Sequence, residues 1–217
     1  FFFFTYEIVD SEKKEVTLYR AENAKGRVVI PSTVEYNGET YTVTALGPRK
    51  VAAYNRSLGV RETDGRKKNE WKVTPPLVKD ADCISPFTGY ALYNDYTNGI
   101  YDNKSITTII LPDSINELGD AAFRKCYGLK EVVNFPKGIT KISNRLFSGC
   151  MALESIVLPE GITSIGKCAF IGCSALKEIT IPSSVKTIDE FAFADSNQSE
   201  SGLEVVNIMN SEGGVII

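Results

Sequence analysis

An apolar pattern that repeats every 23 or 24 residues dominates the second half of the sequence. Four prolines share it, with successive spacings of 24, 23 and 23 residues: Pro112, Pro136, Pro159 and Pro182. Four phenylalanines repeat the same spacings: Phe123, Phe147, Phe170 and Phe193. Three cysteines, Cys126, Cys150 and Cys173, keep the same register. Columns of this kind predict a solenoid, in which stacked copies bury a core that no single copy can cover.

Each repeat divides into three blocks. Residues 153–159 are rich in β-branched residues and end at a proline, which predicts a short strand because proline cannot continue a hydrogen-bonded ladder. Residues 160–166 predict a turn followed by two inward apolar residues. Residues 167–173 are compatible with one or two short helical turns. The extra residue of the 24-residue repeat falls near Val132–Asn134, where we expect a small bulge.

The repeat resembles the BspA-like leucine-rich-repeat family of bacterial surface proteins. The resemblance is carried by these residues: Ile162, Thr163, Ser164, Ile165, Gly166, Ala169, Phe170, Gly172, Cys173, Leu176, Ile181 and Pro182. It implies an α/β leucine-rich-repeat solenoid that is right-handed, with short strands on the concave face and short helical or 3-10 turns on the convex face. It also implies a secreted or cell-surface location and a role in adhesion or recognition. We assign residues 104–217 to the repeat array with its C-terminal tail.

Residues 1–47 predict an N-terminal β cap and a partial first repeat. Two alternating segments, Tyr6–Val9 and Val16–Tyr19, flank a polar turn and predict a hairpin. A solenoid needs such a cap because its first repeat would otherwise expose the core. The phenylalanines of Phe1–Phe4 either pack in this cap or form an edge that pairs with another chain. We expect any leader to lie outside this sequence.

Residues 48–103 interrupt the pattern with a long segment rich in aromatic residues. Long loops in compact proteins are commonly functional or disordered, and the aromatic content favours packing over a free loop. The segment is either a degenerate repeat with an excursion or a flap over the sheet.

Strand alternation predicts two outward columns across the repeats. One consists of Thr108, Glu131, Ser155, Glu178 and Val205. The other consists of Ile110, Val133, Val157, Thr180 and Asn207. Ile110, Val133 and Val157 would form an apolar stripe, which can mark a partner site when exposed. The alternative is that residues 48–103 cover the stripe.

The residue types disfavour catalysis. The chain lacks histidine, which is the commonest general base and a common metal ligand. The five cysteines form no CxxC motif, and Cys126, Cys150 and Cys173 are better explained as small buried hydrophobes. We therefore predict no catalytic residue, no metal and no cofactor. A net charge of −3 argues against a dedicated nucleic-acid binder, and no apolar stretch is long enough for a transmembrane helix.

These observations favour a non-catalytic recognition or adhesion module. Its partner would be an extracellular protein or a glycan, bound through the solenoid face and the inserted segment. The alternative is a structural spacer or a self-assembling surface domain. The sequence leaves the oligomeric state open.

Overall fold

A computed structural model describes residues 3–22, 24–47, 100, 102–194, 203 and 205–208. Its N-terminal element is a hairpin of two antiparallel strands, β1 (Phe3–Asp10) and β2 (Glu15–Glu22). The polar residues between them form the turn, in which the Asp10 carboxylate accepts the N–H groups of Glu12 and Lys13, each at 3.0 Å. The predicted hairpin is therefore confirmed.

The described chain then winds into a β-solenoid of about five turns, here called coils. The first side of the coils is built from parallel strands. These are β3 (Gly26–Val29), β6 (Ile106–Ile110), β8 (Glu131–Val133), β11 (Glu178–Ile181) and β13 (Val205–Ile208). β6 pairs with both β3 and β8, and β11 pairs with β13. Inward residues of β3, β6, β8 and β11 are buried in the core, as the sequence predicts, whereas all four residues of β13 are exposed.

The coil between β8 and β11 departs from this regularity. Residues 153–159 form no regular strand, although the Glu154 N–H still donates to the Lys130 carbonyl at 3.0 Å. The strand predicted here is therefore not confirmed. The preceding coil contains the extra residue of the long repeat, and Asn134 adopts a left-handed φ of 57° there. A left-handed φ at this position is compatible with the small bulge expected near Val132–Asn134, which stays a prediction.

A second side of the coils consists of very short parallel strands. The end of β5 (Glu39–Leu46) pairs with β7 (Glu117–Leu118). The following coils contribute β9 (Lys141–Ile142), β10 (Ser164–Ile165) and β12 (Thr187–Ile188), which pair in that order. Strand β4 (Thr33–Tyr36) folds back on β5 as an antiparallel hairpin around Asn37 and Gly38. Both turn residues have positive φ, as an Asn-Gly hairpin turn requires.

The third side is a ladder of turns, and the described residues contain no helix. The predicted helical turns are therefore not confirmed. Every second backbone N–H group of this block donates a hydrogen bond to the next coil. Phe123 donates to the Leu146 carbonyl, and Phe147 donates to the Ala169 carbonyl. The N–H groups between them close tight turns within the coil, as Cys126 does on the Phe123 carbonyl at 3.1 Å. A helix would need all of these donors for itself.

The core is organised around stacked phenylalanine rings. Centroids lie 5.3 Å apart for Phe123 and Phe147, 5.4 Å for Phe147 and Phe170, and 5.4 Å for Phe170 and Phe193. The ring planes are within 17° of parallel in each pair. The phenylalanines that recur once per repeat in the sequence therefore stack on one another in successive coils.

The N-terminal hairpin continues the second sheet beyond the first coil. β2 pairs in parallel with β5, with Leu18 beside Leu46, and the Gly47 N–H donates to the Leu18 carbonyl at 3.0 Å. β2 therefore stands where the strand of a preceding coil would lie, and buried Leu18 covers the end of the core. Phe4 packs against the core in this cap, while Phe1 and Phe2 lie outside the described residues.

The turn ladder of the first coil begins before the predicted start of the repeat array. The sequence predicts an insertion up to residue 103, but Ile100 already donates its N–H to the Ala122 carbonyl, as Phe123 does one coil later. Ile100 is buried and takes the place of the phenylalanine ring. Asn103 takes the place of the cysteine column, and its amide donates to the Ala24 carbonyl at 2.9 Å. Residues 48–99 lie outside the described residues.

Candidate binding surface

The outward residues of the first sheet form a surface here called the strand face. It carries the two columns predicted from alternation, and none of their ten residues is buried. Pairing places Thr108 beside Glu131 and Ile110 beside Val133. It also places Glu178 beside Val205 and Thr180 beside Asn207. Ser155 and Val157 occupy the irregular coil between these pairs, and both are exposed.

An apolar column crosses four successive coils of the strand face. Val157 is 80% exposed, which is unusual for a valine beside a core. Ile110 and Val133 are half-buried on the same side of the sheet. The register adds a fourth member, because Val29 pairs with Ile110 and is 56% exposed.

Val29 and its neighbour Arg27 are missing from the surface predicted from sequence. Arg27 pairs with Thr108, so it begins the polar column as Val29 begins the apolar one. The sequence does carry a signal for this, since β3 runs into Ile30 and Pro31 as later strands run into a proline. The long interruption before β6 hides the register between the two strands.

Two carboxylates in the polar column have only neutral partners among the described residues. Glu131 accepts a hydrogen bond from the Thr108 hydroxyl at 3.1 Å, and Glu178 accepts one from the Asn207 amide. In contrast, Glu154 at the margin of the face is paired with Lys130 at 3.0 Å. The strand face therefore combines an apolar column with two negative charges that no cation of the described chain balances.

The outward residues of the second sheet are polar. The exposed ones in its coils are Asn116, Thr140, Lys141, Thr163, Lys186 and Thr187. The Thr163 hydroxyl donates to the Thr140 carbonyl at 3.0 Å, so part of this surface is hydrogen-bonded to the backbone. An apolar column is thus a property of the strand face and not of every side of the solenoid.

The cysteine column lies inside the core. Cys126, Cys150 and Cys173 are free and buried, and their thiols donate to the carbonyls of Ile100, Phe123 and Phe147 at 2.7, 3.1 and 3.2 Å. Burial raises the pKa of Cys126 and of Cys173 to about 12 and raises the pKa of Cys150 well above its ordinary value. These thiols are protonated at neutral pH and poor nucleophiles.

The described residues contain no cluster of three or more His, Cys, Asp or Glu side chains that could hold a metal ion. Over the same residues, no helix has the length and apolar character needed to cross a membrane. The inserted segment predicted to take part in binding falls at residues 48–103, most of which are not described, so its contribution stays a prediction.

A family model described as the BspA type leucine rich repeat region matches residues 95–211 in six copies. This match covers more than half of the chain and confirms the resemblance recognised in the sequence. No functionally curated protein matches the chain.

Two solved structures, each with a TM-score of 0.57, give the same result for the fold. A leucine-rich repeat protein from Bacteroides ovatus is 25% identical with a TM-score of 0.57, and the alignment covers 94% of this chain and 39% of that one. A leucine-rich repeat protein of T. pallidum is 22% identical with a TM-score of 0.57, covering 95% of this chain and 68% of that one. A leucine rich cell surface protein from Faecalibacterium prausnitzii is 37% identical with a TM-score of 0.46, covering 50% and 27%. The chain thus spans about two fifths of the B. ovatus protein.

Proposed function

Because the chain belongs to the BspA-type leucine-rich-repeat family, we propose that it is a non-catalytic recognition module that binds an extracellular macromolecule through its strand face. The observation that carries this proposal is the apolar column of Val29, Ile110, Val133 and Val157. Removing such a column from water favours association. The core does not require it, since the inward residues of the same strands already fill the interior.

The chemistry of the column favours a protein over a glycan as the partner. Its members are aliphatic side chains, whose binding energy comes from burial against other apolar surface. A glycan presents mainly hydroxyl groups and would need a denser set of hydrogen-bonding side chains. The strand face would be the concave side of the solenoid that the family resemblance implies, and concavity would increase the surface that a protein partner buries.

A binding screen on the whole chain tests this proposal. The wild-type protein and Val157→Asp are immobilised and probed with a panel of host matrix proteins and a glycan array. A charge at the centre of an interface typically removes about 2 kcal/mol or more of binding free energy, which is roughly a 30-fold loss of affinity. We expect that loss for Val157→Asp with any protein that binds.

Thr187→Asp is the matched control, because it adds the same charge at an exposed position of the second sheet. Far-UV circular dichroism establishes that both variants remain folded. Unchanged affinity of Val157→Asp towards every ligand found would refute the strand face as the binding site. Binding confined to the glycan array would refute the protein partner.

We further propose that the chain is secreted or displayed on the bacterial surface, an inference from the family alone. Protease shaving of intact cells, followed by peptide mass spectrometry, tests it. Release of peptides from the exposed turn at Lys137 and Gly138 is expected from intact cells. Protection until lysis contradicts surface display.

A structural role remains the second candidate, supported by a different observation. Val206 and Ile208 lie in β13 beside the inward Ile179 and Ile181 of the preceding coil, yet they are 43% and 40% exposed. Such a surface would suit end-to-end association of copies. Light scattering over a hundredfold range of concentration separates the two functions, because a monomer at all concentrations contradicts self-assembly.

A further inference from the structure

The strand face combines its apolar column with negative charge in a way that restricts the partner. Glu131 and Glu178 stand in the column next to the apolar one, on either side of Ser155. Neither carboxylate forms an ion pair with a described residue, while Glu154 is neutralised by Lys130. A partner that placed cations over Glu131 and Glu178 would neutralise two carboxylates that no cation of the described residues neutralises.

The backbone of the sheet limits the partner's secondary structure. The N–H and C=O groups of β6 are directed along the sheet to β3 and β8, so the face above them offers side chains only. An extended peptide lying there would leave its own backbone groups without partners, at a cost of binding. An α-helix satisfies its backbone internally and needs only side-chain contacts.

The spacing of the apolar column also fits a helix. Neighbouring strands lie about 4.8 Å apart, so the four side chains from Val29 to Val157 extend over roughly 14 Å. A helix lying along the column rises about 5.4 Å per turn. Successive turns therefore bring one apolar side chain close to each coil, at positions i, i+3 or i+4, i+7, and i+10 or i+11. About ten residues of helix cover the column at this rise.

We infer that the strand face binds a basic amphipathic α-helix of a partner protein, with its apolar stripe on Val29, Ile110, Val133 and Val157 and its cations over Glu131 and Glu178. This inference rests on the proposed function and names the class of partner. Arg27 lies in the polar column at the end far from Glu178, so the helix would place its basic residues towards the later coils.

Synthetic helical peptides of 18 residues test this inference on the whole chain. One carries a leucine stripe flanked by lysines, a second has the same stripe flanked by glutamates, and a third has the lysine composition with a scrambled stripe. Fluorescence anisotropy measures their affinity for the wild-type protein. We expect saturable binding of the first, at least about 10-fold weaker binding of the second, and no saturable binding of the third.

Charge substitution in the protein is the sharper arm of the experiment. Glu131→Gln with Glu178→Gln should weaken the lysine peptide about 5-fold and reduce the dependence of its affinity on salt. Glu131→Lys with Glu178→Lys should reverse the preference, so that the glutamate peptide binds better. Glu12→Gln with Glu117→Gln is the control, because it removes the same charge from positions outside the strand face. Unchanged melting temperatures exclude a folding defect.

The possible failures are distinguishable. Equal affinity for the lysine and glutamate peptides, no binding of either, or a preference that survives the charge reversal would overturn the basic helix as partner. If Val157→Asp still abolished binding of a protein from the matrix panel, the strand face would stand and only the partner class would fall. If the lysine peptide bound Val157→Asp as well as wild type, both the apolar contact and the proposed binding face would fall.

Discussion

Phe147 occupies the middle of the stacked column and has a ring on either side. It is fully buried, with Phe123 at 5.3 Å and Phe170 at 5.4 Å between ring centroids. Its stabilising effect therefore comes from two coils at once. The exposed Phe191, in contrast, is 57% accessible in the turn ladder of a later coil. Phenylalanines only a few residues apart in the repeat should therefore contribute very differently to the free energy of unfolding.

We expect Phe147→Ala to lower the free energy of unfolding by about 3–5 kcal/mol, because neighbouring coils cannot collapse fully into the cavity. Phe191→Ala should change it by less than about 0.5 kcal/mol. Urea denaturation followed by circular dichroism measures both. Similar losses in the two variants would show that the ring column does not carry the stability assigned to it.

The cysteine column makes a second prediction at this scale. The folded-state pKa of Cys126 and of Cys173 is about 12, above the ordinary value of 9.0. Below the ordinary pKa, the thiol is protonated in both the folded and the unfolded chain, and its contribution to the free energy of unfolding is highest. That contribution is present below pH 9 and is lost as pH rises towards 12, since the unfolded chain releases protons first.

We therefore expect the urea concentration at the unfolding midpoint to decrease as the pH is raised from 8.5 to 10.5. In the double variant Cys126→Ala with Cys173→Ala, this midpoint should decrease less steeply. In the native protein at pH 8, these thiols should also resist iodoacetamide until urea unfolds the chain. Rapid alkylation of Cys126, Cys150 or Cys173 in the folded protein, identified by peptide mass spectrometry, would contradict their burial.

At the scale of the elements, close approach between coils depends on particular glycines. A Cβ atom at Gly128 would lie 2.5 Å from the Lys104 carbonyl oxygen and 3.0 Å from that of Ile106. Both are backbone atoms of the neighbouring coil and cannot rotate away. At Gly138 the nearest atom would lie 3.5 Å away, which is ordinary contact.

Gly128→Ala should thus destabilise the fold by about 1–3 kcal/mol, as overpacking does. Gly138→Ala should be neutral or stabilising by a few tenths of a kcal/mol, because it only restricts the unfolded chain. Thermal unfolding of the two variants beside wild type gives the comparison. Equal melting temperatures would mean that the coils can separate locally at Gly128 without loss.

Much of this element structure was predictable because it follows from periodicity. The columns of Pro, Phe and Cys predicted the stacking, and strand alternation predicted outward positions such as Thr108 and Glu178. The turn ladder was not predictable in the same way, because residues 167–173 look locally compatible with a helix. What decides their conformation is where the N–H groups go, and Cys168 and Phe170 donate to carbonyls of the next coil. These acceptor carbonyls lie outside residues 167–173, so the local sequence does not specify them.

The candidate surface shows a similar division. The outward position of Val157 was predictable from strand alternation, although its segment forms no regular strand, whereas the contribution of Val29 needs the register between β3 and β6. That register spans an interruption of about fifty residues and is invisible in the spacing. The place of Ile100 was not predictable either, because an isoleucine occupies the position that phenylalanine occupies in the later coils.

At the scale of the whole molecule, the coils form a nearly one-dimensional array. Each coil is hydrogen-bonded to the coil before it and the coil after it, as Phe147 shows by donating to Ala169 while Leu146 accepts from Phe123. Stability in such an array is close to a sum of coil terms and neighbour terms. A defect should therefore act mainly on its own end of the solenoid.

The cap allows this to be tested. Leu18 is fully buried where β2 covers the first coil, and Leu18→Ala should cost about 2–5 kcal/mol locally. Leu176, also buried, lies in the coil of β11 near the other end of the described array, and Leu176→Ala is the matched variant. Hydrogen exchange measured by mass spectrometry should rise in β2 and β5 for the first variant and in β11 for the second. If both variants raised exchange equally along the chain, the solenoid would unfold as one cooperative unit, and the cap would stabilise the strand face of distant coils as strongly as it stabilises its own neighbour.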